Sequence, residues 1–396
     1  MSEAVTHAEA YGARNYHPLD LVITRGEGVW VWDEDGNKYM DCLSAYSALN
    51  QGHRHPRIID ALVQQASKIT LTSRAFHNDQ MGGFLKRLCD LSGFDKALPM
   101  NSGAEAVETA IKAARKWGYK VKGVPEGRAE IIVCSDNFHG RTTTIVGFST
   151  EDQYRDGFGP FTPGFHAVPF GDMAAMADAF SEHTVAVLVE PIQGEAGINL
   201  PPEGYLRQLR ALCDAHRVLL ILDEIQTGFG RTGRMFAFHH EGIQPDGVTV
   251  GKALSGGVYP VSAFLSSAEV MDVFNPGDHG STFGGNPLGA AVASAALDVL
   301  VDEKLAERAD TLGAWFMDQL ANLDSPHILE VRGKGLLIGV EIKKSSGPAR
   351  PFCEALKERG LLCKETHGQV IRFAPPLIVT KEQLQGVLPM IAEVLR

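Results

Sequence analysis

The hydrophobic positions fall into three rhythms along the chain. Near the start, "GVWVWDEDGNKYMDC" places two short β-like runs around Asp35-Gly36, which predicts a hairpin. From about residue 55, helical patterns ("HPRIIDALVQQASKI", "SGAEAVETAIKAARKWGYK", "EGYLRQLRALCDAH") alternate with short apolar runs ("EIIVC", "VAVLVEPI", "VLLILD", "GVTVG"). Uninterrupted apolar runs between amphipathic helices predict βαβ units and a mostly parallel sheet covered on both faces. After about residue 285 come an Ala-rich helix ("NPLGAAVASAALDVLVDE"), another helix, strands in "ILEVRGKGLLIGVEI" and two further helices. The expected architecture is α/β. Its parts are an N-terminal segment, 1–50, contributing to a small domain, a large domain over 51–285, and a small α+β domain over 286–396.

Composition narrows the function classes. With 396 residues and 44% hydrophobic side chains, the chain can bury a large core in two domains. The 37 Lys and Arg against 48 Asp and Glu give a net charge of −11, and no long basic run appears, which disfavours nucleic acid as a partner. The opening "MSEAVTHAEA" lacks the basic and apolar regions of a signal peptide. No apolar stretch reaches the ~18 residues of a membrane span. The 6 cysteines are too scattered for a disulfide framework or a C-x-x-C zinc site. A cytoplasmic protein with free thiols is expected.

Two motifs are set aside. "GFGRTG" (Gly228, Gly230, Gly233) fits a dinucleotide fingerprint, but "DEIQT" separates it from the preceding strand and no helical periodicity follows. His53/His55 and His239/His240 are pairs without a third ligand and are expected at turns or on the surface; no metal is required.

Two strand ends carry chemistry. "VLLILD" ends in Asp223-Glu224, and "GVTVG" runs into Lys252. Charges at strand ends are commonly just solvated. Yet a lysine beside a carboxylate, beyond a buried strand, also suits covalent amine chemistry, because desolvation lowers the amine's pKa. Pyridoxal 5'-phosphate requires such a lysine, an acid for its pyridine nitrogen and a phosphate site. "MNSGAEAVETAIKAARKW" can supply the third: Ser102 and Glu105 read as a capping box, and Gly103 leaves backbone N–H groups open to an anion at the helix N-terminus.

With these residues in place, "LLILDEIQTGFGRTGRMFAFHHEGIQPDGVTVGKALSGG" resembles the signature of the class III aminotransferases, a fold-type I pyridoxal-phosphate family, and the likeness extends over nearly the whole chain. "YGARNYHPL", "LTSRAFHN", "RDGFGPFTPGF", "VEPIQGEAG", "HGSTFGGNPLG" and "THGQVIRFAPPL" are similar to its ornithine-specific branch. The resemblance implies that Lys252 binds the cofactor covalently, Asp223 holds the pyridinium nitrogen and Gln226 meets the ring's hydroxyl side. Phe138 stacks on the ring, and Ser102, Gly103 and Ala104 hold the phosphate with Thr282 of a neighbouring subunit. Substrate falls to Tyr16, Tyr46, Arg141, Glu195 and Arg372. The implied enzyme is a homodimer, or a higher assembly of this chain, that moves the δ-amine of ornithine to 2-oxoglutarate. One departure is His139, where the animal ornithine enzymes carry tryptophan. The alternatives are acetylornithine, 4-aminobutyrate or an aminomutase reaction on the same machinery, or a non-catalytic binding protein of this fold.

Overall fold

A computed structural model describes residues 2–396. The alternating middle of the chain builds a seven-stranded sheet. Its order is Lys96–Met100, Ser262–Ser266, Gly247–Val250, Leu219–Asp223, Thr184–Val189, Glu130–Cys134, Phe165–Val168. Every neighbouring pair from Gly247–Val250 to Phe165–Val168 is parallel. Ser262–Ser266 runs antiparallel to both its neighbours.

The apolar runs are buried along their whole length because the sheet has two covered faces. Leu219 and Ile221 pack on one side with Val107, Ala110, Ile111 and Ala114 of the helix Gly103–Trp117. Leu220 and Leu222 pack on the other with Leu206 and Leu209 of the helix Tyr205–His216 and Ala293 and Leu297 of Pro287–Asp302. Period-2 alternation therefore survives inside a run that reads as uniformly apolar.

Three strands carried no clear sequence signal. Lys96–Met100 contains Pro99, which its edge position tolerates. Phe165–Val168 is the opposite edge and half exposed. Ser262–Ser266 is short and follows a glycine-rich loop.

The expected hairpin forms as Trp30–Asp33 and Lys38–Asp41, joined by Ile23–Glu27. This sheet is completed from far down the chain, since Leu361–Leu362 pairs in parallel with Met40–Asp41. The remaining C-terminal strands, Ile328–Lys334, Leu337–Ile342, Lys364–Thr366 and Val370–Phe373, form an antiparallel sheet beside the helices Leu305–Ala321, Arg350–Lys357 and Lys381–Val394.

The segment after Asp223 is a series of turns rather than a helix, so Gly228, Gly230 and Gly233 cap no helix N-terminus. Three of the four paired histidines correct one expectation, while His239 is exposed as expected. His53 and His55 are half-buried ties, bonding Asp41 at 2.8 Å and Glu303 at 2.9 Å, while His240 bonds the Thr232 carbonyl at 2.9 Å.

Within those turns Arg231 is fully buried. Its guanidinium donates to the carbonyls of Leu336 and Pro375 at 2.9 and 2.7 Å and to Asn50 Oδ1 at 2.6 Å, fastening three distant segments together. Burial without a carboxylate partner lowers its pKa to about 9. Arg231→Met leaves these acceptors buried and unpaired, at ~1–3 kcal/mol each. The expected result is a loss of roughly 3 kcal/mol or more, read as a lowered urea midpoint; an unchanged midpoint would show that the clip is dispensable.

Candidate active site

The carboxyl ends of the parallel strands converge on a cavity of about 190 Å³. Each strand delivers what directly follows it. Glu130–Cys134 leads to Phe138, His139 and Gly140; Thr184–Val189 to Glu190, Ile192 and Glu195; Leu219–Asp223 ends in Asp223, followed by Gln226; and Gly247–Val250 leads to Lys252. The edge strand Lys96–Met100 brings Gly103 and Ala104. This is the crevice where open α/β sheets bind ligands.

Lys252 lines the cavity in a left-handed conformation, φ 44°, which L-residues adopt at a cost. Burial lowers its pKa, partly opposed by the Glu195 carboxylate. Asp223 accepts from His139 Nδ1 at 2.6 Å and from the Ile225 amide at 3.0 Å. Burial alone would lower the pKa of His139, but the bond and charge of Asp223 prevail and raise it.

The helix Gly103–Trp117 starts with the expected capping box, reciprocal between Ser102 and Glu105. In its first turn the amides of Gly103 and Ala104 have no intrahelical acceptor. The glycine has a second reason to be there, because a Cβ at 103 would lie 2.9 Å from Ile225 Cδ1.

Of the residues that the resemblance assigns to substrate, Glu195 and Arg372 meet directly. Arg372 Nη1 and Nη2 donate to Glu195 Oε1 and Oε2 at 2.6 and 3.2 Å, and Gln226 Nε2 donates to Oε1 at 2.9 Å. Burial opposes ionisation of Glu195, yet the charge and bonds of Arg372 bring its pKa down to about 2. Arg372 is itself fully buried and lies 5.0 Å from the Tyr46 ring. Arg141 sits over Tyr154 at 3.7 Å and Phe138 at 5.4 Å. Tyr16, 76% exposed, and Thr282, also exposed, lie outside the cavity lining.

The residues present fit pyridoxal phosphate. A lysine, a buried carboxylate and a helix N-terminus face one cavity, which Gln226 also lines, its buried Oε1 having no hydrogen-bond partner. Among the described residues, no cluster of three or more His, Cys, Asp or Glu could hold a metal ion, and no helix is long and apolar enough to cross a membrane.

Among the wall residues to which the sequence reading gave no role in the site are Glu190 and His139. Glu190 follows an apolar strand just as Asp223 ends one, so the same logic could have found it. His139 gave no local sign of its bond to Asp223, which lies 84 positions away.

Such a fold and site define a pyridoxal-phosphate enzyme of the lysine-bearing α/β type. The chain matches the family Aminotransferase class-III over residues 11–395. It is 59% identical over 391 residues to an ornithine aminotransferase of Brevibacillus brevis, covering 99% of this chain and 97% of that one. A solved ornithine aminotransferase from Toxoplasma gondii, described with partial occupancy of PLP at its active site, superposes with TM-score 0.98 at 47% identity, covering 99% and 93%. An acetylornithine aminotransferase from Elizabethkingia anophelis gives TM-score 0.90 at 51% identity, covering 99% and 98%. The chain belongs to the class-III aminotransferases.

Glu190 yields a pH prediction. Burial raises its carboxyl from 4.5 to about 7, against the pull of His139. The folded protein then keeps a proton that the unfolded chain has released, so stability is lost as pH rises from 4.5 to about 7 and stays lost above. Glu190→Gln retains an acceptor for the Phe138 amide and abolishes that loss. Relative to the parent, it should gain on the order of 2–3 kcal/mol across this window. Urea midpoints of the cofactor-free protein at several pH values measure the gain; a pH-independent difference refutes it.

Proposed function

We propose that the chain is an ornithine δ-aminotransferase, moving the terminal amine of ornithine to 2-oxoglutarate to give glutamate 5-semialdehyde, which cyclises to pyrroline-5-carboxylate, and glutamate. The observation that carries this reading is the Glu195–Arg372 pair. With its guanidinium covered by a carboxylate, Arg372 does not offer itself to the α-carboxylate of an entering amino acid. A donor then enters by its carboxylate-free end, with a distal amine leading.

Pyridoxal phosphate, when bound, supplies the electron sink for carbanion chemistry at the amine-bearing carbon. Ser102, Gly103, Ala104, Phe138, Asp223, Gln226 and Lys252 would hold it, with Thr282 reaching the second subunit's phosphate. Asp223, steadied by His139, keeps a negative charge where a pyridinium proton is retained. Lys252, its pKa lowered, takes up and returns the proton at the reacting carbon. Tyr16 and Arg141 receive the α-amino and α-carboxylate groups of ornithine, beside Tyr46. In the return half, Glu195 leaves Arg372, which takes the α-carboxylate of 2-oxoglutarate, while Arg141 takes its distal carboxylate.

We further assign the chain to a homodimer in the cytoplasm, with domains 1–50, 51–285 and 286–396. All 6 cysteines are free thiols, which supports a reducing compartment. The seven-stranded sheet draws all its strands from residues 96–266, which supports the middle division.

The purified protein should be yellow, and borohydride should fix a phosphopyridoxyl group on Lys252, read by peptide mass. Label on another lysine overturns the assignment. Single-turnover absorbance with each amino acid tests the gate. A charge-assisted arginine–carboxylate bond contributes ~1.5–3 kcal/mol, so Glu195→Ala should raise the glutamate rate relative to the ornithine rate by roughly tenfold or more. Equal loss in both halves removes the gate. An amine-donor panel completes the test, because acetylornithine or 4-aminobutyrate outpacing ornithine would move the chain to that substrate.

A further inference from the structure

The carboxylate of Glu195 has two side-chain partners, and only one of them is the arginine it covers. The oxygen that takes Arg372 Nη1 also takes Gln226 Nε2. Thr366 Oγ1 meanwhile donates to the Glu195 backbone carbonyl, fixing the main chain and leaving the side chain free to turn about its own bonds.

The amide of Gln226 has little freedom. The residue is 9% exposed, and a Cβ on Gly194 would lie 1.9 Å from Gln226 Oε1, so the bare glycine is what lets the amide occupy this place. Rotating the amide by half a turn would set its oxygen against the Glu195 oxygen, acceptor against acceptor. A carboxylate at 195 thus fixes the donor end toward itself and leaves Oε1 buried, unpartnered and turned toward Gly194.

We propose that Gln226 is a positioning residue for substrate selection: it holds the Glu195 carboxylate closed over Arg372 and so biases the site toward donors that enter by a distal amine. This rests on the gated reading above. Opening the gate then breaks two contacts rather than one, and the amide's contribution acts only through Glu195. Gly194 belongs to the same device, since any side chain there displaces the amide.

The test uses the holoenzyme and two routes to the same lesion, Gln226→Met, which removes the donor while keeping the length, and Gly194→Ala, which pushes the amide aside. Single-turnover rates with glutamate and ornithine give a selectivity ratio in which a general loss of cofactor fit cancels. Calorimetric titration with glutarate, an unreactive dicarboxylate, reads how accessible Arg372 is without any turnover. Both variants should shift the ratio toward glutamate by roughly tenfold and tighten glutarate by a similar factor, the scale of one hydrogen bond to a charged group. In a Glu195→Ala background, Gln226→Met should leave ratio and glutarate affinity where Glu195→Ala alone puts them.

A parallel fall in both half-reactions with unchanged glutarate affinity overturns the proposal. So does a shift of full size that persists without Glu195, because the effect then does not run through the gate. If Glu195→Ala alone moves neither readout, the gated reading fails first and this inference falls with it. Normal gating in Glu195→Ala with silent Gln226 and Gly194 variants defeats this inference alone.

Discussion

A lysine amine enclosed with carboxylates at the end of a sheet is the constraint around which the rest of this structure is arranged. Charges taken out of water are tolerated when each has a partner with good geometry. Arg372 is covered bidentately by Glu195, and Asp223 is bonded to His139. Glu190 responds differently: with a single backbone amide as hydrogen-bond donor, its carboxyl rises to about 7. Lys252 sits among these groups with its own pKa lowered by burial, a condition that favours an amine as nucleophile and base.

The backbone around the site is correspondingly strained. Lys252 is left-handed, and so are four consecutive residues, Ser44, Ala45, Tyr46 and Ser47. A run of left-handed L-residues costs ~1–2 kcal/mol at each position and persists where its surroundings over-determine it. Here Asp41 accepts from the amides of Leu43 and Ser44 and bonds His53, which secures the turn's entrance. Beyond it Asn50 is bonded to Arg231 and Phe229, and Gln51 donates to the carbonyls of Ala253 and Ala296. The same short segment therefore sets Tyr46 against Arg372 and braces the loop next to Lys252.

On the proposed reading, family membership and chemistry meet at the Glu195–Arg372 pair. Covering an arginine with a carboxylate is a way of refusing one end of a substrate without losing the ability to bind it later. The arrangement needs a carboxylate that remains ionised while half enclosed. Arg372 secures that by holding Glu195 at about 2. It also needs a mobile side chain on a fixed backbone, which the contact from Thr366 to the Glu195 carbonyl provides.

What the sequence determined by itself was local. The apolar run "VLLILD", the amphipathic repeat of "AEAVETAIKAARKW" and the Ser102–Glu105 capping box each specify an element, because helix and strand periodicities and caps act within a few residues. The lysine, the aspartate and the helix N-terminus were legible as chemistry for the same reason, each standing at the end of a readable element. The tertiary structure alone decided which ends meet. Glu195 and Arg372 are 177 positions apart, and Asn50 and Arg231 181. Leu361–Leu362 completes a sheet begun near residue 23. The antiparallel course of Ser262–Ser266, the bond of His139 to Asp223 and the contact of Gln226 with Glu195 likewise follow from chain topology. No periodicity encodes them, because a pairing across the fold leaves no trace in either partner's neighbouring residues.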